Sequence, residues 1–243
     1  SNYHINSLKS KYPTGEESSL TAVKGCLQGI DEIMKNRYKN IFCAVRPPGH
    51  HALNTGQHEG FCYYNHVAIS AKYIQKKYKL KKILIIDWDY HHGNSTEFFF
   101  YNDPSVLFFS THDANAYPRT GSPDRTGSGK GNGYNINIHL PCGTTDKKII
   151  KIYENILIKK ANIFKPDFIL ISAGFDSRKN DPLGCFEISD KGFKTLTKIA
   201  LQIADNHCNG RLLSILEGGY NVVGTAKAAV THIDTLNNFY KNI

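Results

Sequence analysis

The sequence has no Cys-x-x-Cys pair, a single methionine and no run approaching the ~18 apolar residues of a membrane span. Its six cysteines (Cys26, Cys43, Cys62, Cys142, Cys185, Cys208) are scattered, and Cys26, Cys43 and Cys208 sit among apolar neighbours. That spacing argues against a disulfide scaffold and a zinc finger and favours a reducing compartment. The segment Ser1 to Lys11 is polar and lacks the apolar core of a signal peptide, so a soluble protein of nucleus or cytoplasm is expected. Arginine is scarce: of 30 basic residues only six are arginine (Arg37, Arg46, Arg119, Arg125, Arg178, Arg211). Lysine is the poorer side chain for bidentate base or phosphate recognition. The net charge of +9 therefore reads as a solvated lysine surface rather than a sequence-specific nucleic-acid site, and Lys76, Lys77, Lys79, Lys81 and Lys82 as an exposed helix end.

What is present is globular: 243 residues with 40% apolar and 21% charged, and no composition break that would mark a second domain. Short apolar runs at Ile41 to Val45, Ile83 to Ile86, Val106 to Phe109, Phe168 to Ile171 and Leu212 to Leu216, with an alternating run at Tyr134 to Leu140, read as strands. Leu20 to Met34, Val67 to Tyr78, Lys147 to Phe164 and Gly192 to Ala204 have helical period. Strand and helix in alternation predict an α/β fold with a parallel, doubly wound sheet. Pro118 to Gly133, rich in Gly, Ser, Arg and Lys, reads as a long loop without internal structure.

Chemistry collects where the strands end. Arg46-Pro47-Pro48-Gly49-His50-His51, Asp87-Trp88-Asp89-Tyr90-His91-His92-Gly93-Asn94, Ser110-Thr111-His112, Ser172-Ala173-Gly174-Phe175-Asp176 and Glu217-Gly218-Gly219-Tyr220 each follow one apolar run. In a parallel sheet these segments share the carboxyl edge, where open α/β folds bind their ligands. Asp89 and His91, two residues apart, project to one face; with Asp176 they make an N/O set with open positions, suited to a catalytic zinc or similar divalent ion. His50 and His51 suit a site that takes one proton from water and gives one to a leaving amine. Asp87 can orient a histidine. Tyr220, after two glycines, can aim a phenol at a developing oxyanion, although one tyrosine among 14 is by itself more often packing.

Taken together, these motifs, with Gly60-Phe61-Cys62-Tyr63-Tyr64-Asn65 and Asp181-Pro182-Leu183-Gly184, resemble the zinc-dependent histone deacetylase family, specifically its class II branch, in order from about Phe42 to Asn221. The resemblance implies the arginase-like deacetylase fold, three α/β/α layers on a mainly parallel sheet, and hydrolysis of N6-acetyl-lysine to lysine and acetate. It implies one zinc held by Asp89, His91 and Asp176, His50 and His51 as the acid/base pair, Tyr220 polarising the acetyl carbonyl, Asp87 behind His50 and Asn94 beside His51. Phe61 and Tyr117 are the implied walls of an acyl-lysine tunnel, with Gly60, Leu183 and Gly218 also facing substrate, and a potassium ion is implied near Asp87, Ser110 and Thr111. Leu183 stands where polyamine-deacetylating members carry glutamate, which favours acetylated histone tails or other acetyl-lysine proteins, with a corepressor complex as a further implied partner. The rival readings are an acetylpolyamine amidohydrolase, a non-catalytic acetyl-lysine binding module and a binuclear manganese hydrolase. Family catalytic domains carry a longer N-terminal part; residues 1–243 are expected to be a single catalytic domain without it.

Overall fold

The central strands are buried on both faces, which is why their sequences run apolar without alternation. The structure, a computed structural model, describes residues 13–57 and 59–242; the polar Ser1 to Lys11 reading lies outside the described residues. In chain order the elements are α1 (Gly15–Met34), β1 (Asn40–Cys43), α2 (His66–Tyr78), β2 (Ile83–Asp87), α3 (Asn94–Phe100), β3 (Val106–Asp113), β4 (Asn135–Leu140), α4 (Asp146–Ile152), α5 (Ile158–Phe164), β5 (Phe168–Ala173), α6 (Asp190–Cys208), β6 (Leu212–Leu216) and α7 (Val222–Asn238). A π turn over Tyr153–Leu157 joins α4 to α5. The six strands form one parallel sheet in the order β1-β6-β5-β2-β3-β4.

Alternation along each strand splits the core in two. Ile83, Ile85, Phe108, Leu170 and Leu213 face Ile30 and Ile33 of α1 and Val67, Ala71 and Ile74 of α2. Leu84, Ile86, Phe109, Ile169 and Ile171 face Tyr153 and Leu157, Leu196 and Ile203 of α6, and Leu236 of α7. Helices on both faces of a parallel sheet make the three-layer α/β/α architecture. The helix starts are set by side-chain caps: Asn65 accepts from the Ala68 N–H at 2.8 Å, Ser189 from Gly192 at 3.2 Å and Asn221 from Gly224 at 2.9 Å.

The structure corrects four readings. Ser110, Thr111 and His112 do not follow β3 but lie in it, paired with Asn137, Ile138 and His139 of β4; their polarity hid the strand's last turns. Helices α3 and α7 carry too little regular apolar spacing to be read, and α7 leaves Val222, Val223 and Val230 exposed. The loop from Pro118 to Gly133 holds a 3-10 turn at Gly129–Gly131. Finally, Cys142 and Cys185 are joined, with their Cα atoms 5.1 Å apart across 43 residues. The turn before α4 pairs with the segment before α6 (Gly143 N–H to Cys185 O 2.7 Å, Glu187 N–H to Thr144 O 2.8 Å), a tertiary meeting that cysteine spacing does not encode. Cys26, Cys43, Cys62 and Cys208 are buried and form no disulfide among the described residues. The lysines from Lys76 to Lys82 are exposed, at and beyond the end of α2.

Candidate metal centre and active site

The carboxyl ends of β2 and β5 bring three ligand atoms together, and the backbone after β6 closes over them. Asp89 and His91 follow β2 and Asp176 follows β5; one ligand atom from each lies within 4.8 Å of the others. His91 Nδ1 is 3.0 Å from Asp176 Oδ2 and 3.2 Å from Asp89 Oδ1. The remaining lone pairs are turned by backbone donors: Tyr90 N–H gives to Asp176 Oδ1 at 2.8 Å and Gly218 N–H to Asp89 Oδ2 at 2.8 Å. A Cβ at Gly174 or Gly218 would collide with these carboxylates, so only glycine lets the backbone close over them. Burial and the Asp89 charge push Asp176 up to about 6. Burial disfavours a charged His91, but the carboxylates of Asp176 and Asp89 outweigh it and raise the imidazole to about 10. Two buried carboxylates sharing one imidazole are a donor set short of positive charge. One nitrogen and two oxygens with positions left open fit a divalent cation such as zinc.

The two adjacent histidines lie beside this cluster with ring centroids 4.0 Å apart and planes tilted by 41°. His50 Nδ1 donates to Asp87 Oδ2 at 3.1 Å, and His51 Nδ1 to Asn94 Oδ1 at 2.7 Å. With Nδ1 donating to an amide oxygen, His51 keeps its Nε2 lone pair free. Burial resists charge on both rings; the Asp89 and Asp87 carboxylates overcome it at His50 and hold it well above the usual imidazole range, whereas burial and the neighbouring His50 keep His51 well below it. Asp87 itself ends β2 and lies opposite Ser110 in the β2–β3 register, with Thr111 next along the strand; Ser110 Oγ pairs with His112 Nδ1 at 2.8 Å.

A cavity of 470 Å³ opens over the cluster, with His51, His91 and Tyr220 among the residues lining it and Phe61, Tyr117 and Leu183 as largely exposed walls. The Gly60 N–H donates to the Tyr117 hydroxyl at 2.7 Å and so ties one wall to the other. The Phe61 ring lies 6.0 Å from that of Tyr220. Burial and the Asp89 and Asp176 carboxylates hold the Tyr220 phenol above its usual range, so its proton stays in place as a donor. Gly218 differs from the other expected substrate-facing residues: it is buried, and its contacts are with Asp89 and Asp176.

Two residues quoted only as parts of motifs prove to organise the site. Glu217, buried after β6, accepts from the Gly49 and His50 N–H groups (2.7 and 3.2 Å) and from Ser172 Oγ (3.1 Å), which fixes the turn bearing the histidine pair. Burial pushes its carboxyl up to about 7. Asp181 accepts from the Tyr220 and Asn221 N–H groups (2.8 and 3.0 Å) and from Leu183 N–H (2.9 Å), joining two walls of the cavity. The signal for both was an acid at the carboxyl edge of the sheet beside residues already suspected.

The histone deacetylase domain family matches residues 10–236. A probable deacetylase of Archaeoglobus fulgidus is 42% identical over 86% of this chain and 57% of its own length. Histone deacetylase 15 of Arabidopsis thaliana is 41% identical over 87% of this chain and 38% of its own, and the chloroplastic histone deacetylase 14 of the same plant 43% over 85% and 50%. The crystal structure of the HDA15 HD domain superposes with a TM-score of 0.84 at 40% identity, over 90% of this chain and 63% of that one. The chain thus spans roughly 40–60% of these curated relatives' lengths. No described helix is long and apolar enough to cross a membrane, and chloroplastic proteins stand among the relatives, so a nuclear address does not follow from family. The parallel sheet, the cluster at its carboxyl edge and these similarities converge: the chain belongs to the histone deacetylase domain family, whose members here carry the name deacetylase.

Proposed function

We propose that this domain is a zinc-dependent deacetylase that hydrolyses N6-acetyl-lysine in histones or other proteins, with one zinc held by Asp89, His91 and Asp176. The observation that carries the reading is the cavity, walled by Phe61, Tyr117 and Leu183, that opens over a charge-deficient Asp-His-Asp cluster beside the histidine pair. A linear apolar stem of four methylenes suits those walls, and among the described residues no carboxylate lines them to hold a second ammonium, which favours acetyl-lysine over an acetylpolyamine.

A bound zinc ion would act as a Lewis acid toward the amide oxygen and the attacking water. His51, its Nδ1 anchored on Asn94, takes the water proton at Nε2 and returns it to the departing lysine nitrogen. His50, fixed by Asp87 and by Glu217, holds the second imidazole against the first. The Tyr220 hydroxyl donates to the oxygen that gains negative charge as the carbonyl is attacked. Asp87, Ser110 and Thr111 are the proposed surroundings of a potassium ion. Histone tails, other acetylated proteins and corepressor partners remain the proposed company of the site.

The test is acetate release from an acetyl-lysine peptide by zinc-loaded protein, with and without chelator, beside Asp176→Ala. Chelator-sensitive release that disappears in the variant is the expected result. A folded, zinc-loaded chain that binds the peptide without releasing acetate would reject the enzyme in favour of a binding module.

A further inference from the structure

Arginine is the scarcest basic resource of this chain, and two of its six arginines line one groove. This groove, of 470 Å³, begins two residues beyond Tyr117, shares Asn94, the partner of His51, in its wall, and is lined further by Arg119, Thr120, Ser122, Arg125 and Phe98. The chain turns sharply there: Tyr117 faces the tunnel and Arg119, two residues on, faces the groove, with the Arg119 N–H on Ala116 O at 2.8 Å. That shoulder is anchored from below, since His92 Nδ1 meets Thr120 Oγ1 at 2.8 Å and His112 Nε2 meets Gly121 O at 3.0 Å.

The two guanidiniums are not equivalent. Arg125 donates to the buried Glu97 at 2.6 Å and lies over the Tyr101 ring at 4.6 Å, so its charge is matched internally. Arg119 is exposed and makes no ion pair or side-chain hydrogen bond with any described residue. Among the described residues the one carboxylate lining the groove is Glu97, which Arg125, Asn135 and Asn137 already satisfy. We infer that this groove receives an acidic side chain flanking the acetylated lysine, so that the preferred substrates are acetyl-lysine segments of acidic rather than basic character. The inference rests on the deacetylase reading and names the substrate class of that same site.

Extended peptide advances about 3.3 Å per residue, so a residue two or three positions from the acetyl-lysine reaches the shoulder two residues from Tyr117. A carboxylate there meets a fork of donors that suits it bidentately, with the Thr120 and Ser122 side chains alongside. A lysine-rich tail would set like charge against Arg119 in a chain already at +9.

The test compares three peptides of equal length, each with one acetyl-lysine flanked at two and three positions on both sides by glutamate, glutamine or lysine, read by acetate release and by fluorescence anisotropy. The glutamate peptide should exceed the lysine peptide about fivefold in kcat/KM at low salt, falling toward parity at high salt. Arg119→Gln should bring the ratio near one and Arg119→Glu should invert it. Turnover without discrimination, or a preference for lysine, overturns the inference and leaves the deacetylase reading standing. Absence of turnover on all three with an Arg119-dependent affinity for the glutamate peptide rejects the enzyme and keeps the groove; equal or undetectable binding of the three rejects the groove as well.

Discussion

Glu97 and Asp176 are both buried carboxylates near the carboxyl edge of β2, yet their surroundings push them in opposite directions. At Glu97, burial opposes ionisation but donors win: His92 faces it at 3.4 Å, Asn135 and Asn137 donate at 2.9 and 2.6 Å, Arg125 donates at 2.6 Å, and the carboxyl sits at about 2. At Asp176, burial is reinforced by Asp89, and the carboxyl sits at about 6. The first cluster is electrostatically complete and belongs to the framework. The second has more acceptors than donors, which is tolerable only where a cation completes it. Burial alone therefore does not mark a functional carboxylate; an unmatched donor count does.

The largest effect that would break this comparison comes from Asp176→Asn. Metal content measured by atomic emission should fall by an equivalent and acetate release by more than about a thousandfold, while the melting temperature of metal-free protein should hold or rise because a like-charge pair is relieved. A metal-free variant markedly less stable than metal-free parent would show the two clusters to be alike. Within the site, Tyr220→Phe should lower kcat about a hundredfold with KM nearly unchanged, as for loss of one oxyanion donor, in steady-state assays of zinc-loaded protein.

Glu97→Ala should do the reverse of Asp176→Asn: retain metal yet lose about 3 kcal/mol in urea unfolding, since Arg125, Asn135 and Asn137 lose their common acceptor. The pH dependence of stability sharpens this. Because Glu97 is depressed relative to its unfolded value, its contribution is full above about 4.5 and is lost as pH falls toward 2. His66 and His232 contribute in the same direction, since burial lowers them to about 4 and about 3 and the unfolded chain binds their protons first below about 6.5, while the raised carboxyls of Asp176 and Glu217 contribute the opposite sign between about 7 and 4. The parent's advantage over Glu97→Ala in urea midpoint should therefore shrink as pH falls from about 4.5 toward 2, and an advantage that stays constant across that window would contradict the depressed carboxyl. The smallest effect is at the wall: Phe61→Ala should raise KM a fewfold with kcat little changed, as the half-exposed ring contributes packing to the acyl-lysine stem and nothing to the reacting atoms.

Much of the site was legible because strand ends concentrate polar residues in short stretches. Asp89, His91 and Asp176, and the His50–His51 pair, were recognisable by type and by position after apolar runs, and the structure brings them within contact distance. Glu217 and Asp181 were not singled out, since each acts through backbone N–H groups of distant residues that only the folded chain presents to them. The end of β3 was misplaced because Ser110, Thr111 and His112 are polar although buried; their partners on β4 and in the shoulder loop make that burial possible. The Cys142–Cys185 link was unreadable for the same reason, as two loops 43 residues apart have no local signature.

Local pattern by itself determined the alternation of strand and helix, the parallel sheet and the set of groups gathered at one edge, because apolar periodicity and strand ends are local properties of the chain. Only the tertiary structure decided which acids are matched by donors and which are left short, where the tunnel walls stand, and that Arg119, two residues past Tyr117, has no ion-pair partner among the described residues. Charge balance and burial are sums over neighbours from five strands and their loops, and those neighbours are defined only once the chain has folded.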